Sequence, residues 1–231
     1  MAFTIKVNGM DACGVKGRTE VTMTSEASDK AVVHIVDDDD SLCLALGDLF
    51  GTIGLATQCY RSAREFLDSN LTDLSGCIVI DIRLPDMNGL EFQAQLTSMG
   101  IRLPVVMMTG YGDVPMSVRA MKGGAVDFLL KPFRDQDMLD AALAAIRRDR
   151  ERRATESETS KLRQRFQMLS ERERQIMLQV ATGKMNKQIA GDFGLSEVTV
   201  KVHRGAAMRK MGARTLADLI RMAEVLKHGS S

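Results

Sequence analysis

The chain has 231 residues, 45% of them hydrophobic and 26% charged, with four prolines. That composition excludes collagenous, disordered and miniprotein classes and leaves room for one or two domains. No stretch reaches the roughly 18 apolar residues of a membrane span, and the opening MAFTIKVNGMDACGVKGR lacks the apolar core of a secretory signal, so the expected location is cytoplasmic, with no membrane partner. Cys13, Cys43, Cys59 and Cys77 are widely spread with no CxxC pair. They suggest neither a disulfide framework nor a zinc site, and read as buried small apolar thiols.

The 31 Lys and Arg residues against 30 Asp and Glu give a net charge of +1, but the charge is unevenly placed. Residues 1–29 hold 3 basic and 4 acidic groups, residues 30–145 hold 9 and 16, and residues 146–231 hold 19 and 10. An acidic block followed by a basic one predicts two domains with different partners, the second attractive to a polyanion.

Residues 1–29 match nothing that follows and read as a disordered extension. From Ala31, short β-rich runs alternate with helix-like segments. The runs are AVVHIV (31–36), LATQCY (55–60), CIVID (77–81), LPVVMMT (103–109) and AVDFLL (125–130). Between them, Ser41 to Ile53, Ser62 to Ser69, Gly89 to Ser98, Val114 to Lys122 and Asp135 to Arg148 repeat apolar residues every three or four positions. Ser41 is the expected cap of the first. Five such alternations predict a doubly wound parallel sheet over residues 30–148, with ligands outside the carboxyl ends of the strands. Residues 149–165 read as a solvated helical linker. From Met168 no β-rich run remains, and the spacing predicts helices over Glu171 to Thr182, Asn186 to Phe193, Glu197 to Met211 and Leu216 to Leu226. Residues 166–231 are therefore an all-α domain.

Polar residues collect at the predicted strand ends: Asp37 and Asp38 after the first, Asp81 at the third, Thr109 at the fourth, and Lys131 with Pro132 after the fifth. An isolated DDDD is usually a solvated loop, but after a buried strand in a chain with these other residues it belongs to a pocket. Three carboxylates need a cation, and an all-oxygen set favours a hard ion such as Mg²⁺. A lysine and a threonine hydroxyl suit an anion, so a phosphoryl group held by a metal satisfies every group. Asp81, on the central strand, is the best nucleophile.

In family order and spacing, HIVDDDD, VIDIRLPDMNG, MMTGYGDVPM and GAVDFLLKPF resemble the receiver domain of two-component response regulators, a flavodoxin-like or CheY-like fold. The resemblance implies Asp81 as phosphoacceptor and Mg²⁺ on Asp38, Asp81 and the backbone carbonyl of Arg83, with Asp37 acting largely through water. It implies Lys131 on the phosphoryl oxygens, a Thr109 hydroxyl drawn toward the phosphate, and Phe128 turning inward. The face of the fourth helix, fifth strand and fifth helix then changes shape and forms a homodimer. The Lys131 to Pro132 peptide is expected to be cis.

Further on, NKQIAGDFGLSEVTVKVHR has helix-turn-helix grammar. Ala190 is small where helices cross, and Gly194 follows four residues later at the turn. Ile189, Phe193, Leu195, Val198 and Val200 are the expected core, and Ser196 caps the next helix with Thr199 in its first turn. That helix carries Lys201, His203, Arg204, Arg209 and Lys210. Helices of this kind enter the major groove. LSERERQIM, ATGKMNKQIA and LSEVTVKVHRGAAMRKM resemble the LuxR-type (GerE or NarL-type) DNA-binding domain. By position the resemblance implies Lys201 and Val202 as base readers. Lys187, Thr199, His203 and Arg204 become phosphate or groove-edge contacts, and the helix from Leu216 a dimer face. Gly205 departs from the family, where a long polar side chain is common, so readout is narrower or shifted to Arg204.

Together the two resemblances imply a regulator of the FixJ/NarL class, nearest its FixJ- and NodW-like branch. Its expected partners are a sensor histidine kinase, double-stranded promoter DNA, a second copy on phosphorylation, and RNA polymerase. The alternative is a phosphate-independent regulator whose receiver only dimerises. A hydrolase using Asp81 covalently is disfavoured, since haloacid-dehalogenase-like phosphatases usually place DxD at the nucleophile and here Ile82 and Arg83 follow. The expected protein is not an enzyme.

Overall fold

The computed structural model describes residues 31–69, 71–111 and 114–228; the expected extension over residues 1–29, and Cys13 with it, lie outside them. The first elements alternate strictly: β1 (Val32–Val36), α1 (Asp40–Thr52), β2 (Ala56–Tyr60), α2 (Ala63–Leu67), β3 (Gly76–Asp81), α3 (Gly89–Ser98), β4 (Val105–Thr109), α4 (Val114–Lys122) and β5 (Asp127–Leu130). Next come α5 (Asp135–Gln167), α6 (Glu171–Ala181), α7 (Asn186–Phe193), α8 (Glu197–Met211) and α9 (Leu216–His228). The chain divides after Arg150 into two compact units.

In the first unit, five parallel strands pair in the order β2-β1-β3-β4-β5, the doubly wound arrangement with its switch point between β1 and β3. Strand residues alternate between the two faces. Val33, Ile35, Val79, Val106 and Met108 pack with Leu46 and Phe50 of α1 and with Met138, Ala142 and Ile146 of α5. Val36, Ile78, Ile80 and Met107 pack with Phe66 of α2, Phe92 and Leu96 of α3, and Ala120 of α4. β3 is buried along its whole length, and its last residue, Asp81, is the polar member. At its start, Gly76 has φ 118°, and a Cβ there would lie 2.0 Å from the Val32 carbonyl oxygen. Only glycine lets the two central strands approach so closely.

Two local expectations are corrected. Asp39, not Ser41, caps α1: its carboxylate accepts from Ser41 N at 2.9 Å and Leu42 N at 3.2 Å, because the helix already starts at Asp40. Cys43 and Cys77 are buried as expected, but Cys59 is exposed, since it lies on the edge strand β2.

The helix expected to end at Arg148 continues as one 33-residue element to Gln167. Asp149 is buried and accepts a hydrogen bond from Gly76 N at 3.0 Å, satisfying a backbone donor at the start of the central strand β3. Leu162 and Phe166, near its other end, pack with the second unit's core of Leu169, Ile176, Met177, Val180, Ile189, Val200, Ala207, Met211, Leu219 and Ala223. α6 begins with a capping box between Ser170 and Glu173. Gly194 ends α7 in the left-handed region at φ 63°. Ser196 caps α8 through Thr199 N at 3.1 Å, as the sequence implied.

Candidate functional site

At the carboxyl end of the sheet, β1, β3, β4 and β5 bring Asp37, Asp81, Thr109 and Lys131 together. The Lys131 ammonium donates to Asp37 Oδ2 at 2.6 Å and to Asp81 Oδ2 at 2.5 Å. The remaining carboxylate oxygens take backbone donors, Asp39 N to Asp37 Oδ1 at 2.9 Å and Arg83 N to Asp81 Oδ1 at 2.8 Å. Burial pushes the Asp37 carboxyl up from its ordinary value despite the opposing bond to Lys131. Burial pulls Lys131 down, but its bonds to Asp37 and Asp81 together outweigh this, and its pKa is raised overall. The ammonium therefore stays charged between two carboxylates at neutral pH.

Thr109 is fully buried, and its hydroxyl accepts from Tyr111 N across a long 3.3 Å bond. Its carbonyl accepts from Lys131 N at 2.8 Å, fixing the lysine's strand end. The Lys131 to Pro132 peptide is cis. Phe128 on β5 is partly buried against the α2–α4 side of the core. Asp38 is exposed. Among the described residues no three His, Cys, Asp or Glu side chains stand close enough to chelate an ion alone, so a cation here would also draw on backbone or solvent oxygen. The oxygen-only donors suit a hard divalent ion.

In the second unit, α7 and α8 form the helix-turn-helix. Val200 and Ala207 hold α8 to the core, while Val198 and Val202 are 72% and 61% exposed. The expectation that Val198 belongs to the core is overturned: it lies one helical turn from Val202, with Lys201 beside it on the open face. Lys187 and Lys201 are exposed, and Thr199, His203 and Arg204 are half-buried. Thr199 shares its hydroxyl with Ser196 at 2.8 Å, and Arg204 donates to Asn186 at 3.1 Å, bracing α8 against the start of α7. The buried Glu173 carboxylate receives Lys210 of α8 at 2.6 Å, and Arg165 of α5 donates to the carbonyl of Met211 at the end of α8.

The sequence profile described as response regulator receiver domain matches residues 33–143, and that of bacterial regulatory proteins, luxR family, matches residues 167–223. Nodulation protein W of Bradyrhizobium diazoefficiens is 52% identical over 202 residues, covering 87% of this chain and 89% of that protein. The chain belongs to the two-component response regulators of the FixJ/NarL type. The transcriptional regulatory protein FixJ of Azorhizobium caulinodans is 44% identical over 191 residues, covering 83% of this chain and 90% of its own. Among solved structures, the response regulator StyR superposes with a TM-score of 0.75 at 42% identity, covering 84% of this chain and 98% of that one. Full-length FixJ from B. japonicum gives a TM-score of 0.53 at 35% identity, covering 86% and 98%.

This response regulator thus joins a CheY-like receiver to a LuxR-type DNA-binding domain, the composition of a phosphorylation-dependent transcriptional regulator. Its homologues are transcriptional regulators. Receiver domains as a class bind Mg²⁺ at the phosphorylation site and pair with histidine kinases, and the luxR-family domain binds DNA. Among the described residues no helix is long and apolar enough to cross a membrane.

Sequence reasoning missed a contact between two of the loops that carry pocket residues. The Arg83 guanidinium stacks on the Tyr111 ring at 4.4 Å, joining the loops after β3 and β4. The two residues are 28 positions apart, and no periodicity links loops on different strands.

Proposed function

We propose that Asp81 accepts the phosphoryl group from a sensor histidine kinase, and that the shared ion pair of Lys131 with Asp37 and Asp81 carries this reading. An Asp81 carboxylate oxygen attacks phosphorus as the bond to the donor's imidazole nitrogen breaks, forming an aspartyl phosphate. The Lys131 ammonium, already beside Asp81, transfers its bonds to phosphoryl oxygens and offsets the added charge. Asp38, Asp81 and the Arg83 carbonyl would hold Mg²⁺, with Asp37 acting through water; bound there, the ion neutralises phosphoryl oxygens. The Thr109 hydroxyl exchanges its long bond to Tyr111 N for a phosphoryl oxygen. The space it leaves favours an inward Phe128, which starts half-buried.

The face of α4 and β5 leaves Val114, Val118, Met121 and Leu130 exposed, which supports a homodimer formed on phosphorylation. On DNA, Lys201 and Val202 read base edges from α8, and Lys187, Thr199, His203 and Arg204 contact phosphates or groove edges. Arg204 also braces α7, so its loss acts through position as well as charge. Pairing two such domains raises promoter affinity through effective concentration. The regulator works in the cytoplasm on double-stranded promoter DNA, with RNA polymerase as the downstream partner.

The test is Asp81→Asn. Loss of the phosphodonor-dependent rise in promoter binding, measured by titration of labelled DNA, is the expected result. Binding that responds identically in variant and wild type would favour a receiver that only dimerises.

A further inference from the structure

Helix α1 and the edge strand β2 run close beside each other: a Cβ built on Gly47 would sit 3.5 Å from Thr57 Oγ1. One turn earlier on the helix and two residues later on the strand, the same two faces carry Cys43 and Cys59. The Cys59 thiol donates to the Cys43 carbonyl oxygen at 3.8 Å, so its sulfur already lies against the backbone of the other cysteine. Cys59 is exposed and Cys43 buried. The Cys43 thiol also donates to the Asp37 carbonyl at 3.7 Å, so the pair stands directly behind the loop that carries the pocket's first carboxylate.

We propose that Cys43 and Cys59 form an oxidisable dithiol that hydroperoxides close to an intramolecular disulfide, and that closing it alters phosphoryl uptake at the adjacent pocket. The second clause rests on the reading of Asp81 as phosphoacceptor. With the Cys59 sulfur 3.8 Å from the Cys43 backbone, turning the Cys43 side chain from the Asp37 carbonyl toward β2 is the motion that joins the two sulfurs. Hydrogen peroxide meets the exposed Cys59 first: the sulfur takes one oxygen as the O–O bond breaks, giving a sulfenic acid and releasing water. The Cys43 sulfur then attacks the Cys59 sulfur, the S–O bond breaks, and the departing hydroxide leaves with the Cys43 proton as water. Two thiols lose two hydrogens in total, and one peroxide is reduced to two waters. The product ties α1 to β2 and removes the S–H bonded to the Asp37 carbonyl.

The experiment treats the full-length protein with hydrogen peroxide, blocks remaining thiols, and maps peptides by mass spectrometry. Free thiols are expected to fall from the four of the sequence to two per chain, with the Cys43 and Cys59 peptides joined in a monomeric product that dithiothreitol reopens. Cys59→Ser removes the link, and Cys43→Ala leaves a Cys59 sulfenic acid that dimedone traps. A wild type whose Cys59 goes to sulfinic acid with Cys43 unmodified would overturn the dithiol. Labelling from a small acyl phosphate should change several-fold on oxidation in wild type and not in Cys59→Ser; equal rates overturn the effect on uptake. Labelling absent from reduced wild type counts against the Asp81 reading and leaves the thiol count untouched.

Discussion

In the receiver the functional charges are turned against one another, with Lys131 bonded to Asp37 and Asp81 in a part-buried pocket. In the DNA-binding unit Lys187 and Lys201 are exposed and, among the described residues, engage no other side chain. The first arrangement holds charge in a low-dielectric site where an added phosphoryl group must rearrange existing bonds. The second holds charge in water, where a polyanion attracts it without breaking anything in the protein. Buried charges can switch a structure, whereas exposed charges can only bind. A regulator needs both, and this chain separates them by unit.

That contrast predicts where acid acts first. His34 on β1 is buried between Tyr60 and Phe66, with Nδ1 3.3 Å from the Tyr60 hydroxyl and Nε2 without a partner. Burial lowers its pKa from 6.5 to about 4, so between those values the unfolded chain binds the proton and the folded receiver does not. Stability from this group is intact above pH 6.5 and falls by up to about 1.4 kcal/mol per pH unit toward pH 4. His34→Phe should remove that slope, leaving a constant offset. Urea unfolding followed by tyrosine fluorescence measures it, because both tyrosines, Tyr60 and Tyr111, lie in the receiver. Parallel pH profiles for the two proteins would break the comparison.

Lys131→Met leaves Asp37 and Asp81 facing each other without a cation and should cost the receiver about 2 kcal/mol, with loss of phosphorylation. Lys201→Ala should leave stability within about 0.5 kcal/mol yet weaken the preferred sites by about 1–3 kcal/mol and relax sequence preference. Lys187→Ala, by contrast, should weaken all DNA alike and reduce the salt slope by about 1. Titrations across salt and sequence separate the two lysines; equal losses for both would merge their roles.

The smallest effect sharpens the boundary between the two kinds of charge, because Glu173 is a buried carboxylate inside the DNA-binding unit. Its bonds to Lys210 and to Ser170 hold its pKa below the ordinary value. The contribution is therefore present above the ordinary carboxylate range and lost as pH falls through the lowered pKa. Glu173→Gln should cost about 1 kcal/mol or less at neutral pH, since Lys210 is solvent-screened. Thermal melts by circular dichroism should show the gap closing in acid.

The sequence by itself determined the two domain types, the strand and helix alternation, and the residues that meet at the carboxyl ends of the strands. These depend on local periodicity and on a rule of parallel sheets, both readable along one dimension. Helices α3, α4, α7 and α8 begin and end where spacing placed them. Tertiary structure alone decided what depends on which faces meet. Val198 leaves the core for the open face of α8, Cys59 reaches solvent because β2 is an edge, and Asp149 turns back to Gly76. The stacking of Arg83 on Tyr111 and the hydrogen bond of the Cys59 thiol to the Cys43 carbonyl belong to the same group. Each joins residues far apart in sequence, where neither composition nor period carries a signal and only packing sets the distance.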